Sequence, residues 1–446
     1  MKSFVFAALF LSASALSAAE IGRIVVRQQW PWSNLVSVEY ELKGVTEPVD
    51  VSVSASVGGM AIEAKKLQSA LSGRRCALTK GGTYELAIDP TGLLPAGKTA
   101  ADLKVELSAG PSVTGDVLYK IVNLESPYDV EDVTRAQLLN GERGAVVTDF
   151  SKIGKGFTTS LDDVVIWTGV TNDVAYKTTH MVFRKIPAND KSFFFCKTCN
   201  VSFTNDFYIG VFEVTQTQYK KMRTIPDGKA NETNELYAAT RPVDRMYYTS
   251  GMRGSDLGML WPRGDHTDVD DKSYMKLLQQ RIGLVFDLPT EAMWEFACRA
   301  GTTTDLYTGE AASEVAATNI MRAYQINCVN ANGYNKAAPQ DCDLSDGPNQ
   351  VGSYAPNAWG LYDMLGNIQE RCLDFWGPLT SGDKVDPRGA TEPTGESNHR
   401  VVRGGCYADR LSTCTAAARD FYGSSDGHRL VGFRVCLYPD FKVKED

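Results

Sequence analysis

A regular alternation of apolar and polar residues constrains the fold of the first part of this chain more than any other feature. The alternation runs through 36–42, 51–57, 84–88 and 103–107, and Gly, Pro and Asp residues lie between these segments. A period of two turns one face of a strand toward a core and the other toward solvent. Such runs, joined by short turns, predict an antiparallel β-sandwich domain over 20–112.

A connecting segment with strands is predicted for 113–180. Apolar runs at 118–124 and 164–167 are typical of strands, and 135–139 is typical of one or two helical turns. We expect this segment to pair with one of its neighbours.

The chain changes character at about residue 181, where a second domain over 181–446 is predicted. Aromatic runs at 193–195 and 207–212 indicate strands. The hydroxyl of Thr215 is placed to cap one helix, and Pro289 and Thr290 open a second helix. Three apolar residues of the second helix are expected in the core: Met293, Trp294 and Ala297. The stretch 301–360 is rich in Gly, Asn and Asp, so this domain needs fasteners other than regular structure.

The composition and motifs argue against several classes of function. Lys and Arg number 46 against 54 Asp and Glu, and the net charge of -8 disfavours nucleic acid as a partner. The four His residues are far apart in sequence, and no HExxH zinc motif occurs. No GxxxxGK[ST] loop and no strand-linked GxGxxG occurs either, so nucleotide chemistry has no sequence support.

The first residues have the pattern of a secretory signal peptide. Lys2 provides a positive start, 4–16 is apolar, and small residues end at Ala19. The pattern predicts a signal peptide over 1–19, cleaved near Ala19, and an extracytoplasmic protein that is periplasmic, secreted or at the cell surface. An uncleaved anchor is the alternative interpretation. No later stretch reaches the roughly 18 apolar residues of a membrane span, so none is expected.

Cysteine usage fits an oxidising compartment. The chain has ten Cys residues, nine of them after residue 190, which predicts disulfides. Cys196 and Cys199 form a CxxC between strand runs, and a local disulfide is favoured there over half of a zinc site. Cys328 and Cys342 flank a loop that a disulfide would close.

Several segments of the second domain, taken together and in order, resemble the formylglycine-generating-enzyme/sulfatase-modifying-factor family. They are 207–219, 241–244, 288–301, 357–370, 403–405, Arg419 and 432–434. The resemblance covers about 181–439 and leaves out the predicted sandwich. It implies an α+β fold of low regular secondary-structure content, related to the C-type lectin fold.

The resemblance also implies bound calcium. Family members hold one Ca²⁺ with an Asn/Asp-x-x-Gly-x-x-x-Glu stretch. The matching residues are Asp363, Gly366, Ile368 and Glu370, the middle two through backbone carbonyls. Ca²⁺ prefers oxygen ligands of this kind, although a hydrogen-bonded turn without metal is the alternative. A second family site corresponds to three further residues: Asn319, Ile320 and Asp343.

Copper chemistry is where the chain departs from the family pattern. The resemblance implies a copper-dependent oxidase with two Cys residues after the Gly-Gly pair, and these positions are Asp409 and Cys414. A thiolate pair suits Cu(I), whereas Asp is a hard oxygen ligand. Cys406 is an extra thiol that would restore a catalytic pair with Cys414. A structural disulfide of Cys414, with Cys298 as the leading partner, is the favoured interpretation.

Six aromatic residues fall near the family's substrate groove: Trp359, Phe375, Trp376, Tyr407, Phe421 and Tyr422. Core packing is the favoured interpretation, and stacking against a peptide or glycan is the alternative.

The sequence therefore predicts an exported protein with a calcium-stabilised binding scaffold for a protein or carbohydrate partner. The alternative is an oxidase that converts a Cys of a sulfatase peptide to formylglycine, with Cys414 and Cys406 as catalytic residues and copper as cofactor. A structural protein of the cell surface is a third interpretation.

Overall fold

The structure is a computed structural model. It describes residues 19–28, 34–112, 116–149, 164–223, 238–254, 269–309, 311, 347–390, 392–393, 398–409 and 413–442. All of the predicted signal peptide except Ala19 lies outside the described residues. So do five other residues considered above: Asn319, Ile320, Cys328, Cys342 and Asp343.

Contacts divide the chain into two compact units. The first ends at Asp116 and also contains Arg135–Glu142. The second contains Val117–Thr134 and the residues from Arg143 onward. Each unit has a hydrophobic core of its own.

The first unit is built from short strands, two short α-helices and one 3₁₀ turn at Ala100–Asp102. Its elements are β1 (Glu20–Gln28), β2 (Val36–Lys43), β3 (Val49–Val57), β4 (Met60–Ala61), α1 (Ala64–Ala70), β5 (Leu71–Gly73), β6 (Gly82–Ile88), β7 (Leu103–Pro111) and α2 (Arg135–Leu139). One sheet has the order β1-β2-β6-β5 and the other β4-β3-β7, and all their strand pairs are antiparallel.

The core of the first unit follows from the alternation in sequence. In β2, Val36, Val38, Tyr40 and Leu42 point into it and are at most 1% exposed. Apolar surface removed from water contributes about 25 cal/mol per Å², so these side chains fix which face of the sheet is buried. The predicted sandwich is confirmed.

The second unit combines several sheets with short helices. Its elements up to residue 299 are β8 (Val117–Asn123), β9 (Val130–Thr134), β10 (Val146–Val147), β11 (Ile166–Trp167), β12 (His180–Ile186), β13 (Ser192–Phe195), β14 (Cys199–Ser202), β15 (Phe207–Gly210), α3 (Gln216–Met222), α4 (Tyr274–Ile282), β16 (Leu284–Asp287) and α5 (Glu291–Arg299). The later elements are β17 (Gln369–Phe375), β18 (Lys384–Val385), β19 (His399–Arg403), β20 (Arg419–Gly423), β21 (Val431–Gly432) and β22 (Cys436–Lys442).

This unit contains one sheet of six strands and one of four, in which the order of the strands differs from their order along the chain. The larger has the order β16-β22-β15-β12-β8-β9, so β8 from the predicted connecting segment pairs with β12. The other has the order β20-β19-β17-β21, and smaller sheets are β13-β14-β18 and β10-β11. Irregular chain occupies the described parts of 301–360. The fold is α+β with low regular content in this unit, as predicted.

Local capping sets where two helices begin. Thr215 accepts a hydrogen bond from the Gln218 N–H at 3.1 Å, and the Gln218 side chain accepts one from the Thr215 N–H at 3.0 Å. Thr290 accepts one from the Met293 N–H at 3.2 Å at the start of α5. These bonds satisfy N–H groups that the first turn of a helix leaves unpaired. The predicted cap at Thr215 is confirmed, and α5 begins directly after Thr290, as predicted.

Helix α5 is buried on every side. All nine of its residues are buried, including the predicted core residues Met293, Trp294 and Ala297. Asp374 accepts a hydrogen bond from the Glu291 N–H at 2.7 Å, which adds a carboxylate at the positive end of the helix. No helix in the described part of the chain is long and apolar enough to cross a membrane.

The Thr290 cap can be tested by substitution. We expect Thr290→Ala to lower the free energy of unfolding by about 1 kcal/mol, because the Met293 N–H loses its acceptor. Thr290→Ser keeps the hydroxyl and should stay close to the parent in urea denaturation followed by tryptophan fluorescence. Equal losses in the two variants would assign the effect to the methyl group instead.

Candidate functional site

A buried network of ion pairs joins α5 to strands β19 and β20. Arg403 donates to Glu295 Oε2 from Nη2 at 2.5 Å and to Glu291 Oε1 from Nη1 at 3.3 Å. Arg419 binds both oxygens of Glu291 at 2.5 and 2.8 Å, and Arg299 donates to Glu295 Oε1 at 2.7 Å. Because a buried charge without a partner costs several kcal/mol, these side chains hold the three elements in one arrangement.

A second buried pair lies on the central strand β17. Arg434 Nη2 donates to Glu370 Oε1 at 2.8 Å, and Trp294 Nε1 donates to Glu370 Oε2 at 2.7 Å. The same guanidinium donates to the carbonyls of Gly210 and Tyr362 at 2.8 and 2.7 Å. Arg434 therefore ties β15 and the 357–368 loop to β17.

Two glycines carry the chain from β19 into the turn at residue 406. Gly404 and Gly405 have φ of 89° and 71°, in the left-handed region that favours glycine. A Cβ on Gly405 would lie 2.4 Å from the Cys414 Sγ, so the backbone passes directly against that thiol. The Gly-Gly pair is what lets 406 and 414 lie side by side.

The turn after the glycines gathers Cys406, Asp409 and Cys414. The Cys406 N–H donates to Asp409 Oδ2 at 3.0 Å, and the Asp409 N–H donates to the Cys406 carbonyl at 3.0 Å. The Cys414 thiol lies 4.0 Å from the same carbonyl, and both thiols are fully buried. Burial, followed by the charge of Asp409, raises the pKa of both thiols well above the usual range for cysteine.

The predicted disulfides are not formed in the described part of the chain, where no two of eight Cys residues are joined. Cys298 Sγ points to the Met364 carbonyl at 3.8 Å while Cys414 points to Cys406, so that pairing was wrong. Cys196 has a φ of 46°, and its thiol lies 3.0 Å from Glu295 Oε2. The turn therefore directs Cys196 toward α5 and not toward Cys199.

The first predicted calcium site has one unpaired acceptor. Asp363 has a φ of 58°, and its Oδ2 accepts the Gly352 N–H at 2.6 Å. Its Oδ1 is buried and has no hydrogen-bond partner among the described residues. Burial raises the pKa of Asp363 to about 6, against the lowering effect of the Gly352 hydrogen bond. A hard cation would satisfy this oxygen.

The other residues predicted to bind calcium already take part in hydrogen bonds. Both oxygens of Glu370 already accept hydrogen bonds from Arg434 and Trp294. Gly366 and Ile368 lie in the same loop, and their N–H groups donate to the Gly404 carbonyl at 2.9 Å and to Glu213 at 3.3 Å. No group of three His, Cys, Asp or Glu side chains within the described ranges is placed to hold a metal ion. Asp363 therefore has an oxygen that a calcium ion could bind, whereas both oxygens of Glu370 are already bonded to Arg434 and Trp294.

The six predicted aromatic residues divide between core and surface. Phe375 and Tyr407 are buried, as core packing predicts. Phe421 is 37% exposed and stacks against Trp376 and His399, with ring centroids 4.7 Å apart in both pairs. We call Trp376, His399 and Phe421 the aromatic patch.

Sequence reasoning missed three polar residues near these sites. Glu213 is buried and accepts the Asn367 side-chain N–H at 2.6 Å, and burial and Asp363 raise its pKa well above normal. Gln369 reaches both Asp409 and Asp420. Glu213 directly follows the 207–212 strand run, but no local signal marked Gln369 or Asp420.

Comparison with known proteins identifies the family of this chain. The Sulfatase-modifying factor enzyme 1-like domain matches residues 183–438, more than half of the chain, and the chain belongs to this family. The formylglycine-generating enzyme of Thermomonospora curvata is 29% identical over 166 residues, which cover 34% of this chain and 49% of that enzyme. The chain thus spans about half the length of that relative.

Two further similarities are more distant. The protein named chaperone protein LppX of Paenibacillus barcinonensis is 26% identical over 274 residues, covering 58% of this chain and 83% of that protein. The solved structure of Treponema denticola variable protein 1 is 18% identical with a TM-score of 0.41, covering 58% of this chain and 96% of that one.

The buried network predicts that two Glu→Gln substitutions differ greatly in their effect on the free energy of unfolding. We expect Glu295→Gln to lower the free energy of unfolding by about 3–5 kcal/mol, because it leaves Arg403 and Arg299 with too little buried negative charge. The matched control is Glu125→Gln, which breaks the exposed pair with Lys221 and should change stability little. Thermal melting of both variants checks this, and similar losses would contradict it.

Proposed function

We propose that the second unit is a binding domain for a protein or carbohydrate partner outside the cytoplasm, and that it does not carry out copper-dependent cysteine oxidation. The observation that carries this proposal is the turn in which Asp409 lies beside two buried thiols. The predicted signal peptide supports the location.

The thiol environment is the reverse of the one that activates a cysteine. Reactive cysteines are partly exposed, with a pKa lowered by a cation or a helix N-terminus. Cys406 and Cys414 are fully buried, and the neighbouring carboxylate raises their pKa further. Cu(I) prefers thiolates, so an oxygen ligand in place of one thiol weakens the fit for copper.

The strands around the turn that contains Cys406 and Asp409 are suited to holding loops that bind a partner. Ion pairs buried at Arg403 and Arg434 fix the strands, and the loops and edge strand β20 are held on them. Loops on a fixed frame bind with little loss of conformational entropy. The aromatic patch offers ring faces for a peptide or a sugar, with the Arg419 guanidinium 4.6 Å above the Trp376 ring.

Similar proteins support both candidate functions, a binding domain and an oxidase. A protein named as a chaperone is covered over 83% of its length, which supports a binding role. Matches named formylglycine-generating enzyme support the second candidate, an oxidase that acts on a sulfatase cysteine. The feature that favours this second candidate is that the two Cys residues lie close together, with the Cys414 Sγ 4.0 Å from the Cys406 carbonyl.

An aldehyde assay separates the two candidates. We expect the full chain, supplied with Cu(I) and oxygen, to form no aldehyde on a cysteine-containing sulfatase peptide, as followed by mass spectrometry. Alkylation of the native protein should label neither Cys406 nor Cys414, with or without Cu(I), because both are buried and protonated.

The control for this assay is Asp409→Cys, which restores the family's thiol pair and should gain Cu(I)-dependent protection from alkylation. Aldehyde formation by the parent above the level of Cys414→Ala would overturn the proposal.

We further propose that calcium stabilises this unit through Asp363, with the carbonyls of Gly366 and Ile368 as further ligands. The unpaired buried Oδ1 of Asp363 supports this, whereas the pairing of Glu370 with Arg434 limits its part. The ion would supply positive charge beside Asp363 and Glu213, two buried carboxyls that interact with each other.

Calcium binding is testable by thermal melting. We expect saturating Ca²⁺ to raise the Tm by roughly 5–10 °C relative to EDTA, as for a ligand at about 100 times its Kd. Asp363→Asn should lose this response and, in EDTA, be no less stable than the parent because a buried charge is removed. Asp206→Asn, in a half-buried pair with Lys185, should keep the response. An identical Tm in Ca²⁺ and EDTA would contradict calcium binding.

A further inference from the structure

One edge of the first unit leaves part of its hydrophobic core uncovered. The strand β1 lies at the end of the sheet β1-β2-β6-β5, and no other described strand pairs with its outer side. Ile24 and Val26 stand opposite Tyr40 and Val38 in the register, so their side chains share the core face of this sheet. The two residues of β2 are fully buried, whereas Ile24 is 38% and Val26 is 43% exposed. Apolar side chains on the core face are therefore open to solvent along this edge.

The backbone groups along the same edge are also unpaired. The Asp89 N–H donates to the Ala70 carbonyl at 2.9 Å, which shows that alternate residues of β6 bond to β5 and the others to β2. The antiparallel registers carry this alternation across β2, so the backbone of Val25 bonds to β2. The N–H and C=O groups of Ile24 and Val26 therefore point away from the sheet. No described residue bonds to them.

The neighbouring edge of the other sheet is unpaired as well. The strand β7 ends the order β4-β3-β7, and the Ser112 N–H donates to the Pro48 carbonyl at 2.9 Å. By the same alternation, the backbone groups of Val105 and Leu107 point away from β3. Their side chains are only partly buried against the core. β7 lies next to β1 at this flank, yet no hydrogen bond joins the two strands in the described structure.

The edge strand β20 of the second unit shows how this chain closes an edge. The Phe421 and Gly423 N–H groups of β20 are bound by the Asp420 and Asp426 carboxylates at 2.8 and 3.1 Å. Among the described residues, no side chain caps the outward N–H groups of β1 in this way. An edge without such caps is a template on which another strand can pair.

The charge of this edge indicates what an added strand would carry. Arg23 and Arg27 are both exposed. Arg23 forms no ion pair with a described residue, and Arg27 lies 3.5 Å from Glu39 in a pair at the surface. Successive side chains of a strand point to opposite faces, so Arg27 lies on the face opposite Val26. Opposite charges on neighbouring strands attract, so acidic residues fit beside Arg27.

We propose that the β1 edge binds an extended segment of a partner protein as an added antiparallel strand, in which apolar and acidic residues alternate. The apolar residues would cover Ile24 and Val26, and the acidic residues would lie beside Arg27. An extended peptide satisfies the outward backbone groups, and alternate side chains give the specificity. Antiparallel pairing is favoured because every strand pair of this unit is antiparallel. This inference concerns the first unit and does not depend on the function proposed for the second.

A second copy of this chain fits the edge less well than an acidic partner. Two β1 strands paired with each other would bring Arg23 and Arg27 of both copies onto one face. Like charges on neighbouring strands are destabilising.

The test follows binding of a fluorescein-labelled, blocked Glu-Val-Glu-Val-Glu-Val-Glu peptide to the full chain by fluorescence anisotropy. In the proposed pairing the valine N–H groups point to β1, because opposed residues of a hydrogen-bonded pair exchange both bonds. We expect saturable binding that weakens at least about tenfold when the three valines are N-methylated. The matched control is the same peptide N-methylated on three glutamates, which carries its methyl groups on the far edge and should bind like the unmethylated peptide.

The charge of the segment is tested with the peptide and with the protein. A peptide with lysine in place of every glutamate should bind at least about tenfold more weakly. Arg27→Gln should weaken binding of the glutamate peptide by about threefold, as for an exposed charge pair. Arg74→Gln, in an exposed pair with Glu142, should leave the affinity unchanged.

Two proline variants test the direction of the backbone groups. Val26→Pro removes an outward N–H and keeps the bonds to β2, so it should melt like the parent and bind the peptide at least about tenfold more weakly. Val25→Pro removes a bond to β2 and should lower the Tm.

Equal affinity for the two N-methylated peptides, equal affinity for the lysine peptide, or no saturable binding would overturn the proposal. So would a dimer of the parent chain in sedimentation velocity that Val26→Pro converts to monomer, because the edge would then bind a second copy. The aldehyde assay and the calcium melts report on the second unit, so the two proposals fail separately.

Discussion

The guanidinium of Arg403, shared between Glu295 and Glu291, is the contact on which the second unit depends. It fixes α5 against β19, and Arg419 connects the Glu291 carboxylate to β20. Arg403 directly precedes Gly404 and Gly405, so the ion pair also sets where the turn with Cys406 and Asp409 begins. Buried pairs of this kind add little net stability, but breaking one is costly, and this makes the arrangement specific.

Buried ion pairs and side-chain hydrogen bonds connect the irregular segments of this unit. The irregular stretches of this unit predict fasteners such as disulfides, bound ions or buried turns, and no disulfide joins the described Cys residues. Instead, Arg434 binds Glu370 and carbonyls of two segments, and Asn357 donates to the Ala297 and Cys298 carbonyls. These side-chain donors satisfy carbonyls at the end of β15, in the last turn of α5 and in the irregular chain at Tyr362.

Asp409 sets the chemistry of the turn that follows the two glycines. At a position where the resemblance to the family implies a thiol, this chain has a hard oxygen acceptor that takes the Cys406 N–H. The same carboxylate accepts the Gln369 side-chain N–H, and its charge, after burial, raises the pKa of both neighbouring thiols.

The sequence by itself determined whatever depends on neighbours a few residues away. Alternation in 36–42 fixed β2, and the hydroxyls of Thr215 and Thr290 fixed the starts of two helices, because burial periodicity and capping act over one turn or one strand. The ordered motifs placed the family and the Asp363–Glu370 loop. Only the tertiary structure decided which Glu pairs with Arg403, which thiols stay unjoined, and that Gln369 meets a carboxylate 51 residues away. Those outcomes depend on distances across packed elements, and the distance between two side chains in space is not encoded in their separation along the chain.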